Sequence, residues 1–431
     1  MKEYWKYKRG SEWRKWDLHI HSDASDGKMT CEQIVEKAIE NEMDVIALTD
    51  HHTFRNIDTI KTISKSKNIS VISGIEFRTE YGKKSVHILA LFPDEINGIN
   101  LNTKNLTDLI LSPLGLAEIY IITKGKEKFK EEGKSDYTEK EAFEKGMFLV
   151  QVDFKSAANL VHKYGGLIIP HAGQKENGID KEMRHEGKLN TTLYDSLGTV
   201  KKELFKDNFI DICEISKEND SEKFYLDKFN KPSIITSDAH ELNEVGSKYT
   251  WIKADPTFEG LKEITYEPKD RIKIQQIRPD IKNERHIISE VQFLSSDKLF
   301  GNQIIQLNEN LNAIIGGKSS GKSLLLHSIA ESIDPEQVKR INKILNFEGY
   351  SFENENYDFE VIWKNNEKDI LRNVNPENKS RKITYIPQLY INYLAEKNNK
   401  KELNTLLGNI LLQDEIYKSF LEEKKMEIEK I

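Results

Sequence analysis

Cysteine is nearly absent from this chain: Cys31 and Cys213 are the only two. That is too few for a disulfide framework and points to a reducing, cytoplasmic setting. Long apolar runs are missing as well, since none reaches the ~18 residues that a membrane span needs. Met1 is followed by charged residues with no apolar stretch behind them, so no secretory signal is expected. Positive charge is not in excess: the formal net charge is −7. A bulk nucleic-acid binder is thereby excluded, while a local basic groove is not. The 431 residues are 37% hydrophobic and 31% charged, which reads as a soluble globular protein of two or three domains.

The stretch Leu18-His19-Ile20-His21-Ser22-Asp23-Ala24-Ser25-Asp26-Gly27 comes first in the argument. Histidines at i and i+2 on a strand point to one face. A polar loop with a carboxylate, Asp26, follows directly. Two imidazoles beside a carboxylate suit a divalent metal better than a core.

The remaining pattern is strand after strand, most with a polar residue at or near the carboxyl end. Trp16–His19 is the first. A capping box at Thr30-Cys31-Glu32-Gln33 opens a helix, and Val45–Leu48 then runs into Thr49-Asp50-His51-His52. Ser70–Ser73 leads to Gly74-Ile75-Glu76, and Val86–Leu91 carries His87. Leu167–Pro170 runs into His171, Ile210–Ile215 contains Glu214, and Ser233–Thr236 runs into Ser237-Asp238-Ala239-His240. Strands alternating with helical patterns predict parallel pairing, and polar residues gathered at strand ends predict a barrel-like α/β domain. Residues 100–150 interrupt the rhythm. The Lys/Glu-rich part, 124–146, reads as a solvated helical excursion, with a substrate-gating lid as the alternative.

The candidate metal ligands are His19, His21, Asp26, His51, Glu76, His87, His171, Asp238 and His240. Six imidazoles and three carboxylates exceed what one ion needs, so two or three ions are expected, with Glu76 as a bridging carboxylate. Nitrogen and oxygen donors without thiolate suit Zn, Mn or Fe. Clustered ions in an open site mean metal-assisted hydrolysis. Glu214 reads as structural or supporting. Ser22 and Ser237 read as turn and hydrogen-bonding residues.

These motifs, in this order over residues 14–250, resemble those of the PHP (polymerase and histidinol phosphatase) superfamily. The resemblance implies a distorted seven-stranded β/α barrel with a trinuclear metal centre and phosphoesterase activity. It implies that His19, His21, Glu76 and Asp238 hold one ion. Glu76, His87 and His171 would hold the second, and Asp26, His51 and His240 the third. Of these, His19, His21, Glu76, Asp238 and His240 are the expected catalytic residues. Some family members carry histidine where this chain has Asp26.

Near residue 286 the character changes. Ile287–Phe293 and Gln303–Leu307 read as strands, and Leu311–Ile315 as a buried strand entering Gly316-Gly317-Lys318-Ser319-Ser320-Gly321-Lys322-Ser323. That is a P-loop: backbone N–H groups would wrap phosphates, Lys322 would reach the β/γ oxygens and Ser323 would hold Mg²⁺ of a bound ATP. After Asp334, strands and polar turns are expected to alternate up to the strand 383–386, followed by Gln388. Gln388 sits where ABC-class, SMC-like ATPases carry their Q-loop glutamine, and residues 286–413 resemble the N-terminal lobe of that class. Residues 414–431 resemble the start of a coiled-coil arm.

No Walker B run and no Leu-Ser-Gly-Gly signature follows Gln388. The chain thus reads as the front part of a longer protein, the alternative being one that binds nucleotide without turning it over. The order, a PHP domain (1–285) and then an ATPase lobe, resembles the TrlF-type PHP–ATPase proteins of bacteria. The resemblance implies a nuclease in nucleic-acid processing or defence, gated by ATP, with DNA the favoured partner and a homodimer formed through the ATPase domain. Two alternatives stay open: a phosphatase of small sugar or nucleotide phosphates, and an ATP-driven DNA-tethering protein whose barrel is structural.

Overall fold

A computed structural model describes residues 7, 9–183, 192–216, 222–295, 301–350, 357–372, 381–396, 399–412 and 415–429. The chain divides into two units, Gly10–Asp280 and Ile281–Ile431, the latter joined by Met1–Arg9. No helix among the described residues is long and apolar enough to cross a membrane.

The first unit is a mixed α/β domain around a curled sheet. Apart from a short hairpin of Glu95–Ile96 and Ile99–Asn100, its described strands are β1 (Glu12–Ile20), β2 (Val45–Leu48), β3 (Ser70–Arg78), β4 (His87–Phe92), β5 (Leu167–Pro170), β6 (Cys213–Glu214), β7 (Ser233–Ile234), β8 (Thr250–Ala254) and β9 (Ile272–Lys273). Seven of them form one sheet in the order β9-β8-β1-β2-β3-β4-β5, and β6 pairs with β7. Single bridges extend the pairing: His171 to Glu214 on one side, and Ile20 to Ala239, just past β7, on the other. The strands β1 to β7 are therefore joined by hydrogen bonds all the way round.

Not all pairing is parallel. β1, β2 and β3 are parallel to one another, but β4 runs antiparallel to both β3 and β5. The reason is the link between β3 and β4, residues 79–86. It is shorter than the dozen or so residues that a parallel crossover requires. One consequence reaches the site: the first residue of β4, not the last, lies beside the end of β3, where Arg78 pairs with His87.

Apolar residues fill both faces of the sheet. Trp16, Leu18, Val45, Ala47, Ile72, Leu89 and Ile169 form an inner cluster, while Ile20, Ile46, Leu48 and Ile75 pack outward with the helices. Buried on both faces, such strands show no alternation in sequence. The β1–β2 register shifts between Asp17 and Ile20. There Leu18 packs inward and Ile20 outward, and the irregularity leaves His19 and His21 together at the rim.

Helix α1 (Cys31–Glu40) starts at the capping box: Gln33 N donates to Thr30 Oγ1, and Thr30 N donates to the Gln33 side chain. The charged excursion is not merely a surface loop. Helices α2 (Glu118–Glu131) and α3 (Glu139–Met147) bury Ile121, Ile122, Phe129, Ala142, Phe143 and Met147 in the main core. Their Lys and Glu residues form the opposite, solvated face. A Cβ on Gly125 would lie 1.7 Å from the Ala142 carbonyl oxygen, and one on Gly146 would lie 1.9 Å from that of Ile121. Only glycine lets the two helices approach so closely.

The second unit holds a four-stranded antiparallel sheet of β10 (Ile288–Ser295), β11 (Ile305–Gln306), β12 (Tyr357–Trp363) and β13 (Lys368–Ile370), in the order β11-β10-β12-β13. Helix α4 (Lys322–Ile333) packs against it through Ile333, which meets Val291, Phe359 and Val361.

Three sequence expectations fail in this unit. Leu311–Ile315 is not a buried strand: Leu311 is 85% and Ile315 91% exposed, and no described strand lies beside the segment to complete a ladder. The alternation of strand and turn expected after Asp334 holds only for β12 and β13, since the chain first forms helix α5 (Pro335–Ile344), with Asp334 accepting from Gln337 N and Pro335 at the first helical position. Residues 383–386 are not a strand either. Tyr385 N donates to the Gln337 side chain, at Oε1, and Gln388 begins helix α6 (Gln388–Ala395). Helix α7 (Glu415–Glu429) occupies most of the expected arm, whose residues 414, 430 and 431 lie outside the described residues.

Candidate metal centre

All nine sequence-predicted ligands meet at one rim of the curled sheet. β1 brings His19 and, just beyond its end, His21; the loop after it brings Asp26, and the turn after β2 brings His51. Glu76 lies on β3 and His87 opens β4. His171 follows β5, and Asp238 and His240 follow β7. His19, His21, His51, Glu76, His87 and His171 are buried, whereas Asp26, Asp238 and His240 are partly open to solvent.

Glu76 is the hub. Its Oε2 lies 3.1 Å from both His19 Nε2 and His21 Nε2 and 3.5 Å from His51 Nε2. Its Oε1 lies 2.6 Å from His87 Nδ1 and 3.4 Å from His171 Nε2. Asp238 Oδ1 stands 3.2 Å from His19 Nε2 and 3.6 Å from His21 Nε2. Asp26 Oδ2 approaches His240 Nε2 at 3.3 Å and His51 Nε2 at 3.8 Å.

Four sets of donor atoms gather within 4.8 Å of one another: His19, His21, Glu76 and Asp238; His21, Asp26, His51 and His240; His51, Glu76 and His87; and His19, His171 and Glu214. These overlap the ligand sets that the resemblance implies, but the grouping differs in two places. His51 also joins Glu76 and His87, and His171 gathers with His19 and Glu214. Two donor atoms, Asp26 Oδ1 and His171 Nε2, are buried and make no hydrogen bond. Buried polar atoms without a partner are costly, and ligation of a cation would satisfy them. The donor set thus fits divalent ions in number and in chemistry.

Around the ligands is a layer of support that sequence patterns showed only in part. Glu214, fully buried, lies 3.0 Å from His19 Nδ1. A carboxylate there accepts the Nδ1–H proton and leaves Nε2 as the ligating atom. Lys175 donates to Glu214 Oε1 at 2.8 Å and to Asp238 Oδ2 at 2.9 Å, and Thr236 donates to Glu214 as well. Asp50 accepts from Ser22 N, Ser22 Oγ and Ser25 Oγ, which fixes the loop carrying Asp26. Asp17 accepts from Ser237 N, Ser237 Oγ and Gly246 N, which fixes the loop carrying Asp238. Asp238 itself adopts φ 56, a left-handed conformation that such bracing must sustain. Lys175 and Asp17 escaped notice in the sequence because single residues outside a motif carry no periodic or spacing signal, and Asp50, inside the motif Thr49-Asp50-His51-His52, was given no role of its own because its partners Ser22 and Ser25 lie far away in the chain.

Electrostatics divides the imidazoles into two classes in the metal-free protein. Burial would lower His21, but hydrogen bonds to Asp238 and Glu76 outweigh it and push the ring up to about 10. His19 is likewise raised, burial being overcome by Asp238, Glu214 and Glu76. His51 is pushed down to about 3 by burial, and His87 is lowered for the same reason. Burial opposes ionisation of Glu76, but His51, His19 and His87 hold its carboxyl well below the usual range.

A metal ligand must be an unprotonated imidazole, so His19 and His21 must each release a proton on binding while His51 and His87 need not. The raised values place the bound protons on the metal-free side of the equilibrium, and apparent metal affinity therefore rises with pH. Calorimetric titration with Mn²⁺ between pH 6 and 8, in buffers of differing ionisation enthalpy, is expected to show net proton release. Affinity independent of pH would contradict the assignment.

Residues 17–230 match the PHP domain family, and residues 216–264 match the family described as PHP-associated. The chain carries a PHP domain. A 5'-3' exoribonuclease from Haemophilus influenzae is 37% identical over 78 residues, 18% of this chain and 28% of that protein. A phosphoribosyl 1,2-cyclic phosphate 1,2-diphosphodiesterase from Eggerthella lenta is 37% identical over 82 residues, 18% of this chain and 31% of that protein. The chain thus spans under a third of the length of these relatives. Among solved structures, a two-domain protein from Bacteroides vulgatus containing a predicted PHP-like metal-dependent phosphoesterase is 15% identical. It aligns over 69% of this chain and 84% of its own, with a TM-score of 0.37.

Proposed function

We propose that the PHP domain is a metal-dependent phosphoesterase acting on nucleic-acid phosphodiesters. One observation carries the reading: the two oxygens of Glu76 face different groups of imidazoles, Oε2 toward His19, His21 and His51, and Oε1 toward His87 and His171. A carboxylate so placed could hold an ion on each of its oxygens, and a pair of ions is what in-line phosphoryl displacement uses. Ions held there would supply a deprotonated water as nucleophile and neutralise the phosphoryl oxygens.

The chain's own residues do the rest. His19, His21, Asp238 and Glu76 define one position, with Glu214 keeping the His19 ring in its ligating tautomer. Asp26, His51 and His240 define another at the open edge, where substrate enters. Lys175 balances the carboxylates Glu214 and Asp238. The names of the relatives, an exoribonuclease and a cyclic-phosphate diesterase, favour diesters with a ribose component. The experiment is cleavage of 5'-labelled DNA and RNA with Mn²⁺, alongside phosphate release from a panel of sugar and nucleotide monophosphates. Polynucleotide cleavage supports a nuclease. Phosphate release with intact polynucleotide selects the small-molecule phosphatase, and neither activity rejects the proposal.

We also propose that residues 286–413 bind ATP with Mg²⁺ in the manner of an SMC-like lobe, as a homodimer that controls the barrel. Support comes from the loop 316–323, which is exposed and enters α4 through Gly321 at φ 87. Lys322 Nζ folds back onto the carbonyls of Gly316 and Gly317 at 2.8 and 2.6 Å, over the space that a phosphate would fill. Gln388 lies at the start of α6. Binding of a fluorescent ATP analogue is expected for the parent and to be lost in Lys322→Ala. Equal binding by both would end this part of the proposal.

A further inference from the structure

Phe148, the first residue past α3, stands at the mouth of the metal centre with 44% of its surface exposed. Its ring is edge-on to that of His51, with centroids 5.8 Å apart, and His51 belongs to two of the ligand groups. Arg78, at the end of β3, lies over the Phe148 ring at 5.5 Å, and its Nη1 is 3.4 Å from His87 Nε2. The Arg78 Nε is buried without a hydrogen-bond partner. Leu149, also 44% exposed, extends the apolar strip.

The ring is left half in solvent, with the neutral His51 imidazole at its edge and the Arg78 guanidinium over it. The glycine-tight pairing of α2 and α3 holds it in place, since Gly146 is two residues away. An exposed aromatic ring with a cation over it is an arrangement on which a base can stack.

We infer that Phe148 and Arg78 form a subsite that stacks the nucleobase attached to the phosphoryl group bound at the metal centre. The subsite rests on the phosphoesterase reading for its phosphate, and the excursion 100–150 supplies its specificity. A base stacks on such a ring whatever its identity, so the subsite selects nucleotides over base-free phosphates and not one base over another.

Adenosine 5'-monophosphate and ribose 5-phosphate share sugar and phosphate and differ in the base. Calorimetric titration of the Mn²⁺-loaded full chain is expected to show adenosine monophosphate binding about tenfold tighter. Phe148→Ala removes most of that difference and changes ribose 5-phosphate affinity far less, while Phe148→Tyr restores it. An unaltered circular dichroism spectrum and thermal midpoint separate this from misfolding. Equal affinities of the parent for the two ligands, or a preference that survives Phe148→Ala, overturns the subsite. Hydrolysis of a base-free phosphoester without a base preference sinks the subsite and leaves the phosphoesterase reading standing. A base preference without hydrolysis of any phosphoester does the reverse.

Discussion

Glu76→Gln is expected to reduce phosphoester hydrolysis by on the order of a thousandfold, the several kcal/mol that clustered ions contribute to a phosphoryl transition state. The amide keeps the size of the side chain but offers one acceptor oxygen where the carboxylate offers two. It cannot face His19, His21 and His51 with one oxygen and His87 and His171 with the other. The loss should fall on kcat and on metal stoichiometry together. The metal-free fold is expected to change as well, because the imidazoles would lose the one charge that faces all of them. Kinetics at saturating Mn²⁺, paired with metal analysis of the purified variant, checks both. A variant that keeps full metal content and activity would show that Glu76 is not a bridge.

Glu214→Gln is expected to cost roughly 10- to 100-fold in metal affinity, the usual range for a supporting carboxylate behind a ligating histidine. Its effect travels through His19. The amide keeps one neutral acceptor oxygen, for which His19 Nδ1–H, Thr236 and Lys175 compete, so the His19 tautomer is held less firmly. Lys175, which also bonds Glu214, would keep Asp238 as its one charged partner of the two. The expected signature is a raised Mn²⁺ requirement with kcat largely recovered at high metal. A loss of kcat that excess metal does not restore would instead mean that Glu214 touches the substrate.

The site was more legible in the sequence than the fold that carries it. Most of the ligands are polar residues at or near the end of an apolar run, and nine candidate ligands in one chain leave few readings other than a shared pocket. His87 shows the limit. Its position at the start of β4 fits the site only because β4 is antiparallel, and pairing direction is set by link length and tertiary packing, which strand–helix alternation does not encode. Lys175, Asp17 and Asp50 act through long-range contacts that leave no pattern in the chain. Phe148 was hidden by its setting: charged faces of α2 and α3 mask, in composition, an apolar face that docks on the core. In the second unit the P-loop motif was visible, but an apolar run alone does not make a strand. Leu311–Ile315 has the pattern and lacks a described ladder partner.

The central claim is that the carboxylate of Glu76 lies among a small group of cations. Anomalous X-ray diffraction from crystals grown with Mn²⁺, with stoichiometry measured on the same preparation, tests it directly. The account predicts two or three ions per chain, with neighbours roughly 3.5–4 Å apart across Glu76. Fewer than two ions there, or a carboxylate turned away from all of them, would contradict it.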